Sequence, residues 1–549
     1  MWAWWRSLPV TYLTVDRRSL GAFRIAFGLV LFSDLFRRFV ELRFWYTNSG
    51  LLPNHTLLWR PPATHSFSLF FTMSSVREAE LGFGLCAVVY AMFLLGYRTR
   101  LAQVLALLAR VSLNSRLSVL ENGGDMVMDL LCLLTLVLPL GARFSLDALA
   151  ATWQREQCAR DATSTGQAET VAVTSKPVVS LAVLGLLLQF ATIYYFNAAA
   201  KSGAAWRDGS AVHYALHQDK LVTWFGVWMR EHLPVSAVHV LTWSTLATEW
   251  LGFVLIITPV NVQRARLLAV CLMPLLHLGF ALGLNLGGFS PAMMSFFPLL
   301  LTAQHWDGLS RRFGARASGL THRLERRLRP ALSWLRFPSP LAPARDPAHV
   351  AWRWLSEGAV ALLLLAITAE VLNDNAPVPR SLRVHQPAWT RAVIEYPRIL
   401  QGWRMFASEP PRVDSMIYVD AKTATGAHVD PYNEVASDDP FPAGDVVPSH
   451  LGQSQFFVMY SDRIGTEGYA AYRQAFADWL LAYPERTGHP EDCLLSYEVY
   501  LVTDKSPDLG ASPWPTPVDR QRFMTYRAPQ NGTCRPVTND SSGPPVAAR

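Results

Sequence analysis

The sequence predicts an all-α polytopic membrane helical bundle of about nine spans, followed by a C-terminal exported α+β domain. Three observations carry this expectation. The 549 residues are 51% hydrophobic and only 17% charged, with 19 tryptophans, which is too apolar for a soluble chain of this size. Apolar segments able to cross a hydrocarbon core roughly 30 Å thick recur along the first two thirds of the chain. Beyond residue 372 they stop, and shorter alternating patterns take over.

In chain order, the opening MWAWWRSLPVTYLTVDRRSL lacks the apolar core and small-residue cleavage site of a signal peptide, so the first span is expected to serve as an uncleaved insertion signal. Spans are expected at 19–40, 79–97, 101–120, 126–142, 177–200, 236–259, 266–285, 289–303 and 351–372. Those at 126–142 and 289–303 are short and read equally as tilted or re-entrant pieces. The stretch 311–350 reads as a cytoplasmic linker. Within it Leu320, Leu324, Leu328 and Leu332 recur at helical spacing with arginines on the remaining face, a basic amphipathic helix suited to an anionic leaflet. A Pro-rich stretch at 338–347 then leads into the last span. In the exported domain, 373–549, SMIYVDAKTATGAHVDP alternates like a hairpin turning near Thr425–Gly426. GTEGYAAYRQAFADWLLAYPE has helical periodicity, CLLSYEVYLVTD reads as a strand, and the Pro, Ser and Gly-rich end reads as a loose tail carrying a sequon at Asn531.

The net charge of +7 suits nucleic acid, but no recognition motif accompanies it. The basic residues gather instead between apolar spans, where they set topology. Loops on the N-terminal side hold most of the Lys and Arg, including Arg17, Arg18, Arg98, Arg143, Arg264 and the arginines of 311–353; the opposite side holds fewer, among them Arg43, Arg110, Arg116 and Lys220. The N-terminus is therefore expected in the cytoplasm and the chain after 372 outside. Cys493 and Cys534 are the two cysteines of the exported region and suit one disulfide in an oxidising compartment. No CxxC motif, zinc spacing, phosphate loop or GxSxG elbow occurs, and His213 and His217 in HYALH, one turn apart, lack an evident third metal ligand.

Polar residues inside spans are expensive and mark sites or helix-to-helix contacts. Arg24, Asp34, Asp129, Asn197, His239, Glu249, His277 and Asn285 stand out, with Lys201 just past the fifth span, and their number suggests a polar cavity. In YYFNAAAKSGAAW, Lys201 has no acidic neighbour before Asp208. Such a lysine either snorkels toward headgroups or does chemistry.

A family resemblance bears on that choice. FRIAFGLVLFSDL, FWYTNSGLLP, LLGYRTR, NGGDMVMDLLCLLTLVLPLGARFSLD and HLGFALGLNLGGFSPAMMSFFPLL, in this order, resemble the horizontally transferred transmembrane (HTTM) domain, the membrane domain shared by vitamin K-dependent gamma-glutamyl carboxylase and its bacterial relatives. The resemblance covers most of a domain set at 1–310. It implies a multi-pass protein of a bacterial inner membrane that uses vitamin K hydroquinone or menaquinol, with O2 and CO2 as co-substrates and no metal. Its partners would be membrane lipids and an exported peptide or protein substrate.

By the same resemblance Lys201 is the base that activates the quinol, and His277, Gly288, Phe289 and Trp306 match a His, Gly-Phe and Trp series. Catalytic candidates are thus Lys201, Asn122, Asp125 and His277, and cofactor-side candidates are Tyr195, Trp206, Glu249 and Phe289. A lysine ordinarily titrates near ~10.4 and becomes a neutral base only where desolvation lowers that value; AAAKSGAA supplies no nearby carboxylate to oppose this. Two departures stand against full transfer. Where the family has a histidine after Asn122 this chain has Gly123, with Asp125 as the residue left to substitute, and the exported domain resembles no propeptide-binding region, although WRMFASEP at 403–410 resembles a stretch of bacterial members. The alternative function is a non-enzymatic membrane protein that binds quinone or lipid, or acts in peptide export or immunity. The topology is testable: reporter fusions at Ser310 and Asp374 are expected to show cytoplasmic and exported activity respectively, and cytoplasmic activity at both would overturn it.

Overall fold

The computed structural model describes residues 11–59, 66–164, 176–314, 330, 347–436, 454–511 and 518–529. The expected amphipathic helix of the linker, the loose tail and Asn531 lie outside the described residues. A short pairing of β1 (Thr14–Val15) with β2 (Val178–Val179) ties the N-terminus to the entry of the fifth expected span.

Helices α1 (Arg17–Val40), α2 (Val76–Leu95), α3 (Thr99–Arg116), α4 (Gly123–Thr135), α5 (Leu181–Ala200), α6 (Val235–Ile257), α7 (Val262–Gly283), α8 (Phe289–Phe296) and α9 (Pro347–Asp374) occupy the nine expected segments. Six of them, α1, α2, α5, α6, α7 and α9, are long and apolar enough to cross a membrane. The other three are shorter or more polar. Helix α4 is 13 residues long, α8 is 8 and continues only as a 3-10 turn to Leu300, and α3 carries Arg100, Gln103, Arg110 and Arg116 along its length. Arg110 and Arg116, expected in an outer loop, are fully buried in α3.

Contacts sort the helix ends into two sets. At one end Arg18 pairs with Asp307, Thr99 with Asp147, the Leu181 N–H with Glu357, and the Arg24 guanidinium donates to the carbonyls of Phe93, Leu94 and Phe144. At the other, Arg37 donates to Gln455, Lys220 pairs with Asp462, Arg398 pairs with Glu121, and Asn375 donates to the Gln401 carbonyl.

The centre of the bundle is ionic. Arg38 reaches Asp34 at 2.8 Å and Asp125 at 2.5 Å, while Arg110 reaches Asp125 at 2.6 Å, Asp129 at 3.0 Å and Asp34 at 3.2 Å. All five side chains are buried. Asp125 closes a capping box at the start of α4: Asn122 Oδ1 accepts from the Gly124 N–H, and Asp125 Oδ2 accepts from the Asn122 N–H and Nδ2–H. The NGGD motif thus starts a helix and anchors it to α1 and α3 with one carboxylate. A Cβ on Gly124 would lie 2.5 Å from the Phe289 backbone nitrogen, so glycine lets α4 and α8 touch.

Beyond α9, helix α10 (Ala388–Glu395) and a strap over 403–410 lead into a five-stranded antiparallel sheet of order β5-β4-β3-β6-β7, made of β3 (Val413–Thr423), β4 (His428–Asp430), β5 (Val435–Ala436), β6 (Leu494–Lys505) and β7 (Val518–Arg527). The expected hairpin is present, with Lys422 opposite His428 and Gly426 at a φ of +87° in the turn. Helices α11 (Gln455–Ile464) and α12 (Arg473–Leu481) cover one face, where Phe456, Phe457, Tyr460 and Trp479 pack with Trp45 and Phe44 of the bundle. The α+β architecture is as expected. Cys493 is disulfide-bonded, and Cys534 lies outside the described residues.

Removing one member of a buried ionic set leaves the others uncompensated. Arg110→Met is expected to destabilise the protein by about 3–5 kcal/mol, read as a lowered thermal midpoint in detergent; an unchanged midpoint would show that the cluster does not hold α1, α3 and α4 together.

Candidate functional site

Helix α5 is capped by Ser180 and stays apolar to its end, where Lys201 leaves the helical conformation at φ −80° and ψ 66°. Its side chain returns into the bundle rather than outward, and it is 7% exposed. It enters a cavity of about 350 Å3 lined by α5, α6, α7, α8 and the strap. Lys201 Nζ stands 2.7 Å and 2.6 Å from the two carboxylate oxygens of Glu249 on α6, and 5.1 Å from the Trp206 ring centroid. This corrects the expectation of a lysine without a carboxylate: the partner comes from another helix. Snorkelling is excluded by the same geometry.

His277 on α7 faces the same space. Its Nε2 pairs with the Tyr194 hydroxyl at 2.7 Å, while Nδ1 is buried with no hydrogen-bond partner among the described residues. Phe289 meets the imidazole edge-on at 5.6 Å. The strap closes the chamber: Asn197 Oδ1 accepts from the Met405 N–H at 2.9 Å, Trp206 Nε1 donates to the Phe406 carbonyl at 3.0 Å, the Gly203 N–H donates to the Ser408 carbonyl at 3.1 Å, and Glu409 accepts from the Ala204 N–H. Met405 and Phe406 thereby become cavity wall.

Of the residues expected from sequence, Lys201, His277, Trp206, Glu249 and Phe289 come together here. Tyr195 does not; it is 36% exposed and packs against Trp250 and Phe253 on the outer side of α5 and α6, and its neighbour Tyr194 takes the inward place. Asn122 and Asp125 serve the α4 cap and the ionic cluster and do not line the cavity. Gly123 stands just behind its wall, where a Cβ would lie 3.4 Å from Met405 Sδ and 3.7 Å from the Phe289 ring. Trp306 is at the far end of the bundle, donating to Ser19. Tyr194 and the Met405–Phe406 strap were not expected as site residues. The adjacent tyrosine pair and the WRMFASEP resemblance were their only signals. Compared with family models, curated proteins and solved structures, the chain matches none.

A second, wider recess of about 1020 Å3 lies beside the first, between the 211–232 segment, the end of α7 and the 504–511 edge of the sheet domain. His213 Nε2–H donates to the Pro507 carbonyl and His217 Nδ1–H to the His213 carbonyl, both at 2.8 Å, with the rings 4.0 Å apart. Each gives one ring N–H to a carbonyl, and no group of three His, Cys, Asp or Glu among the described residues is placed to hold a metal. Burial holds both imidazoles below their usual range, His217 at about 4. An unfolded histidine titrates near ~6.5 and so binds more protons than the folded one below that pH. The docking of the 211–217 segment on the sheet domain should therefore be complete above pH ~6.5 and weaken as pH falls toward 4. Hydrogen exchange of this segment at pH 7 and 5 reads the effect; His213→Asn with His217→Asn should flatten it.

Proposed function

We propose that the chain is a membrane-embedded enzyme of the vitamin K-dependent carboxylase type that holds a reduced quinone, vitamin K hydroquinone or menaquinol, in the Lys201 cavity. The observation that carries this reading is the Lys201–Glu249 pair set, with His277 and Tyr194, into an otherwise apolar chamber. The residues fit such a ring. Trp206, Phe289, Phe406 and Met405 offer flat or deformable apolar walls, and the volume lies in the range of small-molecule sites, roughly 300–1,000 Å3.

When bound, a quinol supplies the reducing equivalents for activating O2, so that a glutamate γ-proton is removed and CO2 is captured. The protein's own part begins with Glu249, whose carboxylate accepts the proton of a ligand hydroxyl. Lys201 stays an ammonium and holds the negative charge that remains. The base is then the pair, with the proton ending on a Glu249 oxygen. The strap and the aromatic walls keep water away from that charge. In this reading α3, α4 and α8 also traverse the bilayer, giving nine crossings in a bacterial inner membrane with the N-terminus cytoplasmic and the sheet domain outside. The two sets of helix ends support it, because successive helices alternate between them.

One observation favours the second reading, binding without turnover: both Glu249 oxygens already satisfy Lys201. Quinone binding and quinol epoxidation under oxygen, measured together, decide. Glu249→Gln is expected to bind the ring yet lose turnover by about 10²–10⁴-fold, whereas Lys201→Arg keeps part of it because the charge survives. Turnover lost in Lys201→Arg but kept in Glu249→Gln would return the base to Lys201. Wild-type protein that binds without turnover establishes the second reading.

A further inference from the structure

The Lys201 cavity has an inner and an outer half. Lys201, Glu249, Tyr194 and His277 are all buried, whereas Ser244 and Leu275 are exposed, Leu275 at 63%. Every exposed residue of the lining sits within α6 or α7, both long and apolar enough to cross a membrane. Their exposed flanks, Val240, Trp243, Leu278 and Leu282, are apolar surface of the kind that faces acyl chains. The chamber therefore opens onto the apolar outer surface of these helices, through a slot between Ser244 and Thr248 on α6 and Leu275 and Gly279 on α7. Two features of α7 lie at this opening. Pro274, inside α7, cannot donate the backbone bond to the preceding turn, and Gly279 has no atom within 4 Å of where a Cβ would stand.

We infer that the slot holds the hydrocarbon chain of a ligand that enters from the bilayer, ring first toward Lys201, and that Gly279 sets the room for that chain. The inference rests on the quinone reading of the inner half and adds where the tail goes and which residue limits it. A ring with a chain of isoprene units matches the cavity in order: charged atoms at the closed end, then a slot of leucine side chains and a few hydroxyls, with apolar helix surface at the mouth. The polar carbonyls of an ordinary phospholipid would reach the slot before the Lys201 end, in a stretch that offers only Ser244, Thr245 and Thr248 hydroxyls.

The test uses the full-length protein in detergent and two probes, 2-methyl-1,4-naphthoquinone and the same ring bearing a four-isoprene chain, with affinity as the readout. Wild type should bind the chain-bearing probe more tightly. Gly279→Phe should cost that probe about tenfold or more and leave the bare ring unchanged. Gly84 on α2 is equally open to its surroundings and remote from the cavity, so Gly84→Phe is the control and should alter neither. Equal wild-type affinity for the two probes, or a Gly279→Phe protein that keeps the preference for the chain, overturns the slot while leaving the ring site standing. Wild type that binds neither probe overturns the quinone reading itself, and phospholipid that competes with the chain-bearing probe at equal affinity assigns the slot to lipid instead.

Discussion

The bundle depends on how it satisfies charges it cannot hydrate. Arg110 sits at the middle of that problem, with carboxylates from α1 and α4 on three sides of its guanidinium. Burying an arginine in hydrocarbon is costly unless partners are supplied with it, and the register of α1, α3 and α4 brings the carboxylates of Asp34, Asp125 and Asp129 to Arg110. That register brings Gly124 against Phe289, and Phe289 is a wall of the cavity. The ionic cluster does not line the cavity, yet through Gly124 it adjoins one of the cavity's walls.

The cavity follows a second version of the same rule. Lys201 and Glu249 are each too expensive alone at this depth, and together they are neutral as a pair. A pair of this kind keeps a movable proton and a fixed charge in a dry place, as proton transfer from a weakly acidic hydroxyl requires. Beside the pair stand an open chamber and an aromatic rim of Trp206, Phe289 and Phe406.

Much of the fold was legible in the sequence because it is written in hydropathy. The last span expected at 351–372 lies within Pro347–Asp374, and the hairpin near Gly426 and the strand from Leu494 follow period-two patterns. What hydropathy could not show was a third class of helix, buried by other helices rather than by lipid. Hydropathy reads 101–120 as a span while its Arg110 and Arg116 count as loop charges; α3 carries both within the helix, enclosed by protein. At the site, Lys201 was legible by its oddity, but its partner is 48 residues away on another helix, and no local reading could pair them. Choosing Tyr195 over Tyr194 was a question of about 100° around a helix axis, which a nearly uniform apolar segment does not encode.

The strap at 403–410 joins two parts that otherwise look separable. It contributes Met405 and Phe406 to the membrane cavity and then runs, a few residues later, into β3 of the sheet domain. The sheet domain is therefore covalently continuous with the chamber wall, and Asn197 and Trp206 pin that wall beside Lys201. A shift of β3 relative to the bundle would therefore have to be taken up within the few residues between Phe406 and Val413 or passed on to the cavity wall.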